Sequence, residues 1–440
     1  MNKSSLLAIL ACCLVSLPVD AQRVTNLKEC LEKGLEKNYS LRIVRNEEQV
    51  SKNNATPANA GMLPTVDLTA GYGGSWDNTD TKLRGGGQHT TEHNVLDHTF
   101  NANANLVWTL FDGFSISAKY DRLKELRKQG EINTRIAIED YIAELSAEYY
   151  NYVQQKIRMK NLRYAVSLSK ERLRIAEERF VIGKLSKLDL KQASVDFNAD
   201  SAQCIRQNEQ LTTSRIRLNE LMSETDVNAF INIADSLIDV SLPLSFDDLW
   251  SATLATNASL FKAEQNKTLA RLDLKAVKSR DYPYLRLNTG YGFTHNRYGV
   301  GSSEQRNNWG LNFGVTVGFK LFDGNRRRQL QNARIAAENA NLEQEDLKQT
   351  LNANINTLWK AYENNRKLLL LERKNLITAR ENHEIARERY LLGDLPGIDM
   401  REAQKSLLDA EERILTAQYN TKICEISLLQ ISGKITYYVQ

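Results

Sequence analysis

Proline is scarce in this chain, 6 in 440 residues. Little of the residue that breaks helices leaves room for very long ones. Long apolar runs are also missing. Beyond the N-terminus no stretch reaches the roughly 18 apolar residues of a membrane-crossing helix, so any membrane segment must be built of strands. The net charge is not concentrated in one block. The net charge of +4 is spread along the chain, which argues against a nucleic-acid binder. Cysteines are few and widely spaced. Cys12 and Cys13 fall in the leader, and Cys30, Cys204 and Cys424 form an odd set unlike a disulfide framework. No catalytic constellation stands out, so neither an enzyme nor a cofactor is expected. Composition still favours folding, with 42% hydrophobic and 25% charged residues.

The N-terminus reads as a secretory signal over residues 1–21. Lys3 supplies the positive region, residues 6–17 the short apolar run, and Val19-Asp20-Ala21 the cleavage pattern. The mature chain is expected to begin at Gln22. Cys12 after Ala11 is a weak lipidation signal, because Leu10 and the short apolar run fit that pattern poorly.

An internal repeat organises the rest. Asn38-Tyr39-Ser40-Leu41 recurs as Asn257-Ala258-Ser259-Leu260. Pro64 with Gly71-Tyr72-Gly73 recurs as Pro283 with Gly290-Tyr291-Gly292. Leu110-Phe111-Asp112-Gly113 recurs as Leu321-Phe322-Asp323-Gly324, and Glu178-Arg179-Phe180 with Gly183 as Glu388-Arg389-Tyr390 with Gly393. Repeat one is expected over 25–223, a linker over 224–245, repeat two over 246–432 and a tail over 433–440. The offset falls from 219 to 211 between the Gly-Tyr-Gly and Asp-Gly motifs, a length difference assigned to a loop.

Each repeat reads as a short helix, two strands, a very long helix and a return helix. The strands are expected at about 64–76, 99–111, 283–295 and 308–322. Phe100, Ala102, Ala104, Leu106 and Trp108 alternate with Asn101, Asn103, Asn105 and Thr109. Trp309, Leu311, Phe313, Val315 and Val317 alternate with glycine, asparagine and threonine. A soluble sandwich would show the same period. The length and the aromatic residues near the strand ends favour membrane strands of about 9–11 residues. Four strands cannot close a barrel and an open edge cannot face lipid, so the chain must oligomerise. A trimer gives a 12-stranded transmembrane β-barrel. Long helices are expected over 114–182 and 325–392, and return helices over 187–222 and 398–432. At about 1.5 Å per residue each long helix would reach roughly 100 Å. Polar residues on several faces suit a hollow α-helical barrel, with a solid coiled-coil rod as the alternative.

These segments resemble the TolC-type outer-membrane factor family over nearly the whole mature chain. The most specific parts are Gly61-Met62-Leu63-Pro64-Thr65-Val66-Asp67-Leu68, the twin Leu-Phe-Asp-Gly segments, and the turns Arg179-Phe180-Val181-Ile182-Gly183 and Arg389-Tyr390-Leu391-Leu392-Gly393. The resemblance implies a homotrimer with its barrel in the outer membrane and its helices in the periplasm. It implies a passive efflux or secretion duct working with a periplasmic adaptor (membrane fusion) protein, an inner-membrane pump and outer-membrane lipids. The alternative is a structural coiled-coil envelope protein with a membrane anchor.

Several residues are candidates for function. Glycines at 183 and 393 allow one helix to reverse into the next. The resemblance makes Gly183, Lys184, Leu185, Gly393, Asp394 and Leu395 the adaptor-docking positions. It makes Asp399 and Glu402 a cation-selective entrance ring, and Tyr390 with Asp189 a lock on the tip. From the residues alone, Asp189 reads first as a capping box with Ser186, and Asp399 as a first-turn acid favouring the helix dipole. An arginine usual at position 395 is replaced by Leu395, so a thinner lock is expected. His89, His93 and His98 lie near Gly85-Gly86-Gly87 with no zinc spacing, and are expected in a solvated loop. Arg326-Arg327-Arg328 has two open readings, contact with anionic headgroups or an exposed helix start.

Overall fold

The computed structural model describes residues 25–82, 84–85, 89–240 and 243–439. The leader at 1–21, with Cys12, and residues Gly86 and Gly87 lie outside them. Two compact units emerge, one of residues 25–44, 135–258 and 349–439, the other of Arg45–Thr134 and Ser259–Lys348.

Each repeat opens with two helices where the sequence predicted one. Helices α1 (Leu27–Lys37) and α2 (Tyr39–Asn54) part at Asn38. Further on, α6 (Phe246–Thr256) and α7 (Ala258–Ser279) part at Asn257. Both asparagines leave the helical region, with φ −58° and ψ 125° at Asn38 and φ −63° and ψ 121° at Asn257. The amide side chain explains the break. Asn38 Oδ1 accepts from the Leu41 N–H at 3.1 Å and so caps α2. Asn38 Nδ2 donates to the Leu221 carbonyl at 3.1 Å, and Asn257 Nδ2 donates to the Ile431 carbonyl at 2.9 Å. Those carbonyls end the return helices, so one asparagine per repeat ties its beginning to its end. A single turn, α3 (Pro57–Ala60), then leads to the first strand.

The sheet has strand order β1-β2-β3-β4, all neighbours antiparallel. Its strands are β1 (Thr65–Thr81), β2 (Thr90–Asp112), β3 (Tyr284–Arg297) and β4 (Gln305–Gly318). The first hairpin is longer than predicted because the polar residues beyond Trp76 keep pairing, with Thr79, Asp80 and Thr81 opposite Glu92, Thr91 and Thr90. The extra residues of repeat one therefore extend strands instead of enlarging a loop. A bulge absorbs the mismatch, where Asn94 at φ +59° donates its N–H to Asn78 Oδ1 at 2.8 Å. This longer hairpin puts His93 and His98 on β2, correcting their expected loop position. β4 stops at Gly318, short of the expected 322, because its partner β3 begins at Tyr284, opposite Gly318.

Register separates the two faces. Asn103 stands opposite Thr69 and Gly292, and Asn105 opposite Asp67 and Gly290. Ala102 stands opposite Ala70 and Phe293, which pairs on with Trp309. The polar face has a built reason for its glycines. A Cβ on Gly292 would sit 2.2 Å from Asn103 Oδ1, and one on Gly290 2.6 Å from Asn105 Oδ1. Each asparagine thus lies over a glycine of the next strand. The other face is apolar and open, with Leu68, Leu311 and Phe313 exposed. Among the described residues no helix is long and apolar enough to cross a membrane.

Helices α4 (Ser115–Val181) and α8 (Arg326–Leu392) each run 67 residues. The return helices α5 (Lys187–Leu221) and α9 (Gly397–Ile431) each run 35. The larger core lies in the first unit, where Leu31, Leu145, Tyr149, Val153, Leu218 and Ile435 are fully buried around the linker residues Ile231 and Ile233. In the second unit, polar pairs join the helices. Arg122 Nε is 2.8 Å from Asp273 Oδ1, and Gln344 Nε2 is 2.9 Å from Glu264 Oε2.

The return helices end alike, with one difference. Ser223 and Gly433 both turn left-handed, at φ +54° and +67°. The following N–H groups close the same motif, Glu224 to Asn219 O at 3.0 Å and Lys434 to Leu429 O at 2.9 Å. A left-handed conformation costs a non-glycine residue about 1–2 kcal/mol. Ser223→Gly should therefore stabilise the protein by about 1 kcal/mol, since the gain is partly offset by glycine's extra unfolded-state freedom. A denaturant midpoint that stays put or falls would count against this.

Candidate functional site

The two helix reversals are built from the same parts. Gly183 at φ +72° and Gly393 at φ +91° end the long helices. Lys184 N–H donates to Arg179 O at 2.8 Å, and Asp394 N–H to Arg389 O at 2.9 Å. Only then do the reversals diverge. In repeat one Ser186 caps α5. Its Oγ accepts from the Asp189 N–H at 3.2 Å and donates to Asp189 Oδ2 at 2.7 Å. Pro396 stands at the matching cap of α9 and makes no side-chain bond. Asp399 thus has no hydroxyl to hold it, and both Asp399 and Glu402 are exposed. Asp189 is engaged by its cap, whereas the two second-repeat acids are free to face solvent.

Exposed apolar side chains crowd these turns. Val181, Ile182, Leu188, Leu392 and Ile398 are all exposed, Val181 at 83%. Leu395 behaves differently. It packs against a small buried cluster of Ala386, Tyr390, Met400 and Ala403.

Tyr390 is 94% covered within this one chain. The Arg179 guanidinium lies over its ring, 4.9 Å from the centroid. Arg179 Nη2 also donates to the Tyr390 carbonyl at 2.7 Å. Burial pushes the Tyr390 hydroxyl up in pKa. Arg179 and Arg172 oppose this, and Asp189 adds to it. The contacts of the two residues lie apart, Tyr390 with Arg179 and Asp189 with Ser186.

A second polar group went unread in the sequence. Arg172 of α4, nearly buried, donates Nη2 to Asp196 Oδ2 of α5 at 2.6 Å. Arg401 of α9 grips Asp200 of α5 with two bonds, Nη1 to Oδ2 at 2.6 Å and Nη2 to Oδ1 at 2.7 Å. Arg401 Nε also stands 3.9 Å from Asp196 Oδ2. Burial lowers the Arg172 pKa, and Asp196 restores part of it. His383, one turn from Arg387, is buried with Nε2 unpartnered, and burial holds its imidazole pKa down. The only local sign of this network was an Asp196/Asp200 spacing of four, which puts both acids on one helix face.

The histidines near the first hairpin do not converge. His89 Nε2 is 2.7 Å from Asp80 Oδ1. His98 stacks on Tyr72, with the Tyr72 hydroxyl 2.7 Å from Nδ1. Among the described residues no group of three or more His, Cys, Asp or Glu side chains is placed to hold a metal ion.

Comparison with known proteins fits this architecture. The chain is 20% identical over 422 residues to the outer membrane protein TolC of Vibrio cholerae, spanning 93% of this chain and 91% of that one. The solved structure of the CmeC outer membrane channel of Campylobacter jejuni superposes with TM-score 0.76 at 18% identity, covering 93% of this chain and 85% of that one. The open state of the MtrE outer membrane channel of Neisseria gonorrhoeae gives TM-score 0.72 at 16% identity, over 94% and 90%. The model of the outer membrane efflux protein family matches residues 30–224 and 249–434, one segment per repeat, and this chain belongs to that family.

Proposed function

We propose that this chain is one protomer of a trimeric exit duct, with its strands in the outer membrane and its helices in the periplasm. Cargo passes through it without chemistry, handed on by a periplasmic adaptor and an inner-membrane pump. One observation carries the reading, the four-stranded sheet with one apolar face and both edge strands, β1 and β4, unpaired. Unpaired edges are not tolerated in lipid. Three copies joined β4 to β1 close twelve strands, with the Asn-Gly face turned to a wet lumen.

The helix reversals are the periplasmic entrance in this reading. Gly183, Lys184, Leu185, Gly393, Asp394 and Leu395, with the exposed apolar residues around them, receive the adaptor. Asp399 and Glu402, free of the cap that occupies Asp189, line the entrance. Three copies would crowd six carboxylates together and favour cations.

Two measurements test this. The mature protein should be a trimer in detergent; a monodisperse monomer, after subtraction of bound detergent, would remove the barrel. In planar bilayers it should conduct with cation preference. Asp399→Ala with Glu402→Ala should cut that preference several-fold and weaken block by trivalent cations from the helix side. Unchanged reversal potentials would put both acids on an outer face, and a trimer that never conducts would favour a tether over a duct.

A further inference from the structure

The second unit carries a basic collar at the helix end of the β3–β4 hairpin. Two connections meet the hairpin there, residues 278–283 and 319–328. Between them they hold Lys278, Arg280, Lys320, Arg326, Arg327 and Arg328 against only Asp281 and Asp323. Both acids are already used. Asp281 pairs with Arg326, and Asp323 Oδ2 lies 3.4 Å from Lys320 Nζ. Among the described residues neither Arg280 nor Arg328 forms an ion pair; Arg280 Nη1 donates to Gln329 Oε1 at 2.7 Å and Arg328 Nη2 to Asn325 Oδ1 at 3.3 Å. Arg327 is exposed.

The repeat supplies an internal control. Residues 59–64 and 108–117 make the same connections in repeat one, and their only charge is Asp112. A strand-to-helix passage here evidently needs no arginine. Helix stability does not ask for them either. No acid lies in the first turn of α8, and cations there oppose the helix dipole. What the arginines accompany is apolar surface. Leu321 is 87% exposed and Phe322 86%, both in the connection that leads from β4 to the arginines. In the other connection the Tyr282 ring stands edge-on to Phe114, 6.1 Å away. Apolar side chains followed by unpaired guanidiniums match the order of acyl chains and phosphates in a membrane leaflet.

We propose that this collar binds the phosphate headgroups of anionic phospholipids in the leaflet facing the helices, and thereby fixes the depth of the barrel. The inference rests on the duct reading, so both are measured on one preparation. Native mass spectrometry of the detergent-solubilised trimer, offered equal phosphatidylglycerol and phosphatidylcholine, should show the anionic lipid retained about tenfold over the neutral one. Arg327→Gln with Arg328→Gln, which leaves the Arg326–Asp281 pair intact, should abolish the preference. Arg327→Lys with Arg328→Lys should keep it. A conducting wild-type trimer with no preference overturns the lipid site alone, as does a glutamine variant that keeps the preference. A glutamine variant whose trimer falls apart in lipid-free detergent assigns the arginines to a neighbouring subunit. A preparation that conducts in no bilayer fails the duct reading beneath it.

Discussion

Replacing Glu425 by Ala should destabilise the protein by about 3–5 kcal/mol and free its C-terminal turn. Lys422 and Glu425 lie one turn apart on α9, their side chains 7% and 1% exposed, with Nζ 2.6 Å from Oε1. The Tyr438 hydroxyl donates to the same oxygen at 2.7 Å. Two rings close the box, for Nζ is 5.1 Å from the Tyr150 centroid and 5.5 Å from that of Tyr438. Burial, reinforced by Glu425, raises the Tyr438 pKa, so this hydroxyl stays a neutral donor. Glu425 Oε2 has no partner, so the carboxylate is already short of a bond. Truncation to Ala would strand a buried ammonium with only its aromatic contacts. It would also remove the bond that holds Tyr438 and the turn Ile435–Tyr438. Lys422→Met combined with Glu425→Leu should regain most of the loss, because a buried pair replaced by apolar side chains of similar volume is often neutral. Denaturant midpoints and protease nicking after residue 433 measure both variants. Equal losses in the single and double variants would assign the effect to packing instead of charge.

That buried pair also marks where sequence reading stops. Alternation along β2 and β4 was legible because each strand repeats its own pattern every two residues. The helix reversals were legible because a left-handed turn asks for glycine, and Gly183 and Gly393 stand where it is needed. Length in the first hairpin was misread. Polar residues such as Thr79 and Thr91 carry no apolar alternation, yet they pair as well as their neighbours. In the sequence Asn38 and Asn257 stand out only as matching positions of the repeat. Their hydrogen bonds to Leu221 and Ile431 span 183 and 174 residues, and nothing local announces a partner so distant. Among the candidate residues, Asp189 shows the same limit from the other side. Its capping box with Ser186 is a local pattern and was readable. Arg401 belongs with Asp200 through a contact across 201 residues, which no local pattern marks, whereas Asp399 and Glu402 stand just after a recognisable turn.

Arg401→Ala should open the entrance more than Tyr390→Phe. Four helices converge near the reversals, and separate contacts join them in a ring. Arg179 of α4 holds Tyr390 of α8, and Arg172 of α4 holds Asp196 of α5. Arg401 of α9 holds Asp200 of α5, while Met400 and Ala403 of α9 pack on Tyr390. The ring thus has one link between the two return helices that is both charged and bidentate. Asp200 is 6% exposed in its side chain and Arg401 23%. Removing the arginine leaves a buried carboxylate, a loss of about 3–5 kcal/mol at the site when a partner is taken away. Water near the reversals should return part of it. A closed state favoured by only a few kcal/mol would lose most of its population to a change that large. Tyr390→Phe keeps the ring under Arg179 and the apolar contacts, so it should raise single-channel conductance only modestly. Arg401→Ala should raise it clearly, and should make the outer membrane leakier to large antibiotics. Arg401→Lys, which keeps charge but not the two-bond grip, should fall between. The trimer itself should persist, since the strands and the remaining helix packing are untouched. Wild-type conductance in Arg401→Ala, with the trimer intact, would mean that the Arg401–Asp200 link does not hold the entrance closed.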